Sequence, residues 1–316
     1  MHDELNRAFW GKGINVKTFI QLLPKDLLQT VTLSIVNGTM TAQTATREWR
    51  LTVTAKTSLP DFAGTTTAQC FRAAMSLGIL PATIVAHGTL YPTEIPARSA
   101  VYSGKHLSQA IVAGLSAAGK VGLRSYSTVL HFNIDGSRTK ITGTDGFVLS
   151  EAILPGATEH ANFTLSLDAC RAIEKLAAKT DNVMVGMSDG RVIVRGDSWH
   201  LAIKPSAVQF PNTAGITKMP GGLGVLANTK DLLNSARAIL PLTDKKLRTV
   251  YLDGARLTQD VTPTAINCEY ILRLLRTAKS ETVKIFTNKD LVVIVAGDTR
   301  FYICTINQPE VSEKSA

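Results

Sequence analysis

The residue types that commonly carry chemistry are all present in this 316-residue chain, but their spacing does not assemble any of it. Gly104-Lys105 is the pair that closes a phosphate-binding loop, in which backbone N–H groups cradle phosphates and the lysine reaches them. Here Ser99 stands five residues before Gly104 and His106 follows the lysine, so that loop is absent. Ser116, in "GLSAAG" (114–119), has the wrong spacing for a nucleophile elbow. The histidines, His2, His87, His106, His131, His160 and His200, form no metal-like pairs with one another or with carboxylates. Cys70, Cys170, Cys268 and Cys304 never make a C-x-x-C, which argues against both a zinc site and a disulfide framework. Buried free thiols are the expectation. No catalytic residue, metal or cofactor is assigned, and the chain reads as a non-enzyme.

One stretch is nevertheless strongly patterned. "ITGTDGFVLSEAILPG" (141–156) sets a Thr-Asp-Gly turn between two β-like runs, with no nucleophile–base pair anywhere in it. Around it the composition is that of a folded soluble protein, 45% hydrophobic and 19% charged. The longest apolar runs, "LGILPATIVA" (77–86) and "LVVIVAG" (291–297), fall well short of the roughly 20 residues a membrane helix needs. The opening "MHDELNRAFWGKG" has early acids and no apolar core, so no secretory signal is read and a cytoplasmic location is expected. A formal charge of +9 favours a polyanionic partner, nucleic acid before acidic membrane.

The elements that must position these residues recur. A helix-like segment precedes a β-rich run broken by a tight turn, at Asn37-Gly38, His87-Gly88, Asp135-Gly136, Asp189-Gly190 and Asp253-Gly254, with Asn288-Lys289-Asp290 as a glycine-free sixth. Asn-Gly and Asp-Gly suit type I′ hairpins, because both central residues need positive φ. Two copies align by eye: Lys179, Val183, Val185, Val192 and Val194 recur one hundred positions later as Lys279, Val283, Ile285, Val292 and Ile294. The helix-like segments lie near 16–23, 66–78, 103–119, 165–179, 229–240 and 266–278. In the fourth, Cys170, Ile173, Leu176 and Ala177 share one face while Arg171, Lys175 and Lys179 line the other. In the fifth, Lys230 and Arg237 oppose Leu232, Leu233, Ala236, Ile239 and Leu240. In the sixth, Arg273, with Arg276 at its border, opposes Ile271, Leu274 and Leu275. Lys17, Arg72, Lys105 and Lys120 complete the set of candidate DNA contacts along these helices and their ends. Repeated with one symmetry, the basic faces would make a long surface suited to a phosphate backbone and blind to base sequence.

Six helix–hairpin units, grouped in pairs as three domains, resemble a known family, the bacterial sliding clamps (the β subunit of DNA polymerase III). "KITGTDGFVLSEAILP" (140–155) is similar to that family's strand ending in A-T-D-G-H-R-L-A. "FTLSLDACRAIEKL" (163–176) resembles its V-P-x-x-x-L helix, "AVQFPN" (207–212) its F-P-D-Y, and "AINCEYILRLLRTAKSETVKIF" (265–286) its I-x-F-N-x-x-Y-L-x-x-x-L segment. The resemblance implies an α+β DNA clamp fold, each domain carrying two helix-plus-hairpin repeats with helices on one face of curved antiparallel sheets. The domains would span 1–94 (shortened), 95–214 and 215–316, the last with a polar C-terminal tail.

It also implies a function: a processivity factor that encircles duplex DNA as a ring-shaped homodimer and tethers a DNA polymerase or another clamp-binding protein, with a clamp loader as a further partner. The partner groove would include Thr144, Gly146, Phe147, Val148 and Leu149, and from the last strand Ile303, Thr305 and Ile306. "LRSYS" (123–127) aligns with the family's DNA-contacting loop, which makes Arg124 and Tyr126 candidates for that contact. The chain departs from the pattern in four places. Phe147-Val148 stand where the family has His-Arg, and "YICTINQP" (302–309) replaces its closing M-P-M-R. The first domain is short, and strand material is missing between Gln259 and Thr264. Together with the high positive charge, these departures leave a second reading open: a clamp-fold basic DNA-binding or transcription accessory protein that forms no closed ring.

Overall fold

The structure, a computed structural model, describes residues 19–21, 23, 30–46, 48–56, 62–69, 71, 96, 99–119, 124–156, 160–219 and 221–306. Its strands in the first half are β1 (Thr30–Val36), β2 (Thr39–Ala45), β3 (Trp49–Lys56), β4 (Phe62–Thr67), β5 (Ser99–Ser103), β6 (Val129–Asp135), β7 (Arg138–Thr144), β8 (Val148–Pro155) and β9 (His160–Ser166). There follow β10 (Asn182–Ser188), β11 (Arg191–Arg195), β12 (Trp199–Ile203), β13 (Val225–Asn228), β14 (Thr249–Asp253), β15 (Arg256–Thr258), β16 (Ala265–Asn267), β17 (Thr282–Thr287), β18 (Leu291–Ala296) and β19 (Thr299–Cys304). Among the described residues, the helices seen over their whole length are α1 (Gly104–Ala117), α2 (Leu167–Ala177), α3 (Thr229–Ile239) and α4 (Cys268–Leu275). This is a mixed α+β architecture with large antiparallel sheets, as the resemblance implies. The predicted helical segments at 16–23 and 66–78 fall largely outside the described residues, though 19–21, 68–69 and 71 are helical. His87-Gly88 lies outside them too.

Two compact units divide the chain. One is Met1–Ser108 with Ile134–Arg138 and Gly156–Ser206; the other is Gln109–Asn133 with Thr139–Pro155 and Ala207–Ala316. In the first, the sheet runs β4-β1-β2-β3-β12-β11-β10-β5. Its strands alternate as half-buried strands should: Val31, Leu33 and Ile35 point inward and their neighbours do not. Between β1 and β2, Asn37 (φ 50°) and Gly38 (φ 66°) both take positive φ, the geometry a two-residue I′ turn demands. Asp189 (φ 46°) and Gly190 (φ 72°) do the same between β10 and β11. At Asp135-Gly136 and Asp253-Gly254 only the glycine is positive, so the I′ expectation does not hold there. At the former, Asp135 Oδ1 instead accepts from the N–H of Ser137 (3.2 Å) and Arg138 (3.0 Å), and this side-chain turn takes the place of the second positive φ.

Helix α2 follows from its sequence. Ser166 caps it by accepting from Ala169 N–H, Asp168 sits in the first turn and Lys175 in the last, and Ala169, Cys170, Ile173 and Leu176 are buried. The ladder of β3 with β12 brings Leu51 opposite Leu201 and Val53 opposite Trp199. Each of these leucines is fully buried and contributes roughly 1.5–3 kcal/mol by leaving water.

The second unit contains a sheet ordered β13-β17-β18-β19-β8-β7-β6 and a small one ordered β15-β14-β16. The two hairpins that align in sequence have one register: Val185 faces Val194 in β10–β11, and Ile285 faces Ile294 in β17–β18. Asn228 and Asn267 cap α3 and α4, and α4 starts later than the sequence periodicity alone suggests because Ala265–Asn267 is already committed to β16. The helices α3 and α4 meet where the Cys268 thiol donates to Ala236 C=O at 3.3 Å. Hairpin β14–β15 is not followed by a third strand before β16, in line with the strand material missing from the sequence after Gln259.

Candidate binding groove

The Thr-Asp-Gly turn joins β7 to β8, and each of its residues has a job. Thr144 Oγ1 donates to Val148 C=O at 2.6 Å and accepts from Gly146 N–H at 3.0 Å. Asp145 Oδ1 accepts from the N–H groups of Phe147 (2.9 Å) and Val148 (3.0 Å). Gly146 has φ +95°, and a Cβ there would sit 2.7 Å from Arg124 Nη1 and 3.1 Å from the Tyr126 hydroxyl. Threonine supplies a hydroxyl that both donates and accepts, aspartate a double acceptor, and glycine the conformation and the space.

The turn is one wall of a pocket of about 190 Å³. Thr144, Gly146, Phe147, Val148 and Leu149 line it, together with Arg124 and Tyr126, Pro211, Asn212, Thr213 and Ile216, Leu291 of β18, and Tyr302 and Cys304 of β19. Val148, Leu149 and Tyr302 are buried, and Leu149 packs with Tyr302 and Val293. Phe147 and Ile216, by contrast, are 55% and 48% exposed, so apolar surface at the cavity remains open to solvent. Arg124 donates to the Tyr126 hydroxyl at 2.6 Å, and its guanidinium lies 5.9 Å from the centroids of both the Tyr126 and Phe147 rings. Burial pushes the Cys304 thiol above its ordinary value, and nearby Asp145 adds to the shift. The cavity is therefore an apolar slot with a cationic, aromatic rim. Among the described residues no group of three or more His, Cys, Asp or Glu could hold a metal ion, and no helix is long and apolar enough to cross a membrane.

No family model matches the chain, and no curated protein matches it by sequence. Solved structures do match. The DnaN sliding clamp (DNA polymerase III subunit beta) from Pseudomonas aeruginosa, in a crystal structure bound to griselimycin, aligns with a TM-score of 0.78 at 12% identity over 93% of this chain and 96% of that one. The DNA polymerase III beta subunit from Thermotoga maritima aligns with a TM-score of 0.75 at 14% identity over 93% of this chain and 97% of that one. The chain has the sliding-clamp fold. Twelve to fourteen percent identity explains why only a handful of clamp motifs survive as strings, even though the clamp fold spans nearly the whole chain.

Within this clamp fold the sequence-derived residues separate into groups. The five from the β7–β8 turn line the pocket together. Ile303 does not: it is fully buried, opposite Val148 and Val292 in the two flanking ladders, while its neighbours Tyr302 and Cys304 face the cavity. Thr305 donates its hydroxyl to Lys289 C=O, the Ile306 N–H binds Ala265 C=O, and neither residue lines the pocket. A strand's facing flips with every residue, so a one-position shift exchanges the two sets. Ile216 and Leu291 carried no signal beyond being apolar near turns, and Pro211 stood only in "AVQFPN", the F-P-D-Y-like stretch.

Lys105, Arg171, Lys175, Lys179, Lys230, Arg237 and Arg276 are all exposed. Arg171 pairs with Asp168 one turn earlier at 2.7 Å, and Arg237 reaches Asn234 at 3.3 Å. Lys17, Arg72 and Lys120 lie outside the described residues. Arg124 and Tyr126, read from the sequence as DNA contacts, line the pocket, and Arg273 is held by Asp145 at 2.6 Å.

Proposed function

We propose that this chain is a processivity factor of the sliding-clamp kind. It closes a ring around duplex DNA, holds a DNA polymerase or another DNA-acting protein through the β7–β8 groove, and performs no chemistry of its own. On this reading the protein acts as a head-to-tail homodimer of three-domain subunits, 1–94, 95–214 and 215–316, opened and closed by a loader, in the cytoplasm. The observation that carries it is the pocket, a slot walled by an exposed Phe147 and a buried Tyr302 within a clamp fold. Such a slot suits a short apolar segment of a partner, anchored by side-chain burial and not by charge.

Exposed cations on the helices support the DNA half of the reading, since contacts to phosphates exchange readily and ignore base sequence. Primer extension on a circular template by a replicative polymerase from the same genome tests the whole. Longer products in the presence of the chain, lost on Phe147→Ala, support the proposal, whereas product lengths indifferent to the chain refute it.

A second reading keeps the fold and drops the closed ring, leaving a basic accessory protein on DNA. The β14–β15 hairpin, with no third strand following it, favours this reading, because in the other described hairpins the third strands make the long-range ladders, β3 with β12 and β8 with β19.

A further inference from the structure

We infer that Arg273 is a positioning residue of the groove and not a contact to DNA, an assignment that rests on the partner-binding reading above. On α4, Arg273 is opposite the buried Ile271, Leu274 and Leu275, the place from which a helix would offer a cation to a phosphate. Its guanidinium is already committed. Nη2 donates to Asp145 Oδ2 at 2.6 Å, across 128 residues of sequence, and the group lies 5.1 Å from the Tyr270 ring centroid. Nε is shielded from solvent and has no hydrogen-bond partner. The Arg273 side chain is 37% exposed, but the carboxylate that holds it is only 13% exposed, so the guanidinium is drawn toward the turn.

What the pair achieves is visible at the other carboxylate oxygen. Asp145 Oδ1 holds the N–H groups of Phe147 and Val148, the two residues that form the near wall of the pocket. Arg273 fixes Oδ2 and so fixes the plane of the carboxylate that those N–H groups need. Without it, a largely buried carboxylate loses its charge partner, and rotation toward water, which relieves that cost, releases both amides. Arg124 covers the same turn from the other side, across Gly146. The recognition wall is thus supported by a residue that need not touch the partner, the arrangement that precise sites require of the groups behind them.

Two readouts test this, one of them independent of any ligand. The first is amide hydrogen exchange at Phe147 and Val148. The second is binding of a fluorescein-labelled synthetic pentapeptide bearing leucine and phenylalanine, with binding of a labelled DNA duplex measured alongside. Arg273→Gln is expected to speed exchange at both amides about tenfold and to weaken the peptide about tenfold, while duplex affinity stays within about threefold. Arg273→Lys, which keeps the charge, is expected to restore most of both losses. Asp145→Asn should match Arg273→Gln, and the double variant should be no worse than either single one. Unchanged exchange at Phe147 and Val148, or a large loss of duplex affinity with peptide binding intact, overturns the assignment. If the unsubstituted chain captures no peptide while exchange responds as expected, the positioning of the turn stands and the partner-groove reading falls.

Discussion

Gly146 has no side chain at the point where an added Cβ would lie 2.7 Å from Arg124 Nη1, and its φ of +95° excludes most other residues in any case. The two constraints converge on one position of the turn. Gly146→Ala is expected to cost about 1–3 kcal/mol of stability from the backbone conformation alone, with a further loss of peptide binding as Arg124 is displaced. Denaturant unfolding and peptide titration on one preparation check both. An alanine variant as stable as the parent would show that the turn has another conformation available.

Phe147 should behave in the opposite way. At 55% exposure its ring contributes little to the fold, so Phe147→Ala is expected to change stability by less than about 1 kcal/mol while weakening an apolar peptide about tenfold. Melting curves and fluorescence polarisation separate the two effects.

Cys304 provides a reporter inside the groove. Cys170 and Cys268 are buried, burial pushes the Cys268 thiol up to about 11, and Cys304 is exposed at the pocket. Its own value is raised, so at pH 7 less of it is thiolate than of an ordinary cysteine, and the rate climbs on going to higher pH. Iodoacetamide is expected to modify Cys304 faster than Cys170 or Cys268 but more slowly than a free thiol, and a bound peptide should protect it. Mapping the modified sites by mass spectrometry, with and without peptide, reads this out.

The helix faces give a charge prediction. Replacing Lys105, Lys175, Lys230 and Arg276 with glutamate should weaken duplex binding, because all four are exposed and α2 and α3 bury their opposite sides. The slope of log affinity against log salt should shrink by about one for each phosphate that is no longer neutralised. Salt titrations of the parent and of each single variant identify, one side chain at a time, which cations meet the DNA backbone.

Periodicity and turn chemistry made most of the fold legible. The Asn37-Gly38 and Asp189-Gly190 turns, the shared register of the β10–β11 and β17–β18 hairpins, and the buried stripe of α2 all follow from local rules. The turn at Thr144–Gly146 was legible in adjacent residues, whereas its place beside a groove came only from the resemblance to clamps. What escaped depended on distant partners. The facing of β19 is set by its ladders with β8 and β18, and without them Ile303 and Tyr302 are equally good candidates for the cavity. Arg273 does stand opposite the buried stripe of its helix, but what meets it there is a carboxylate 128 residues earlier. Arg124 and Tyr126 lie over Gly146, a long-range contact that no pattern around 123–127 could reveal.

Encirclement of DNA is the central claim, and it is tested most directly by retention on a closed circular plasmid at high salt, with a loader supplied, before and after a single restriction cut. A ring that holds DNA by topology stays on the circle through a salt wash and slides off once the ends are free, and this is the predicted result. Protein that washes off circle and linear DNA alike, in proportion to salt, would contradict it and leave a clamp fold that binds DNA by its surface charge.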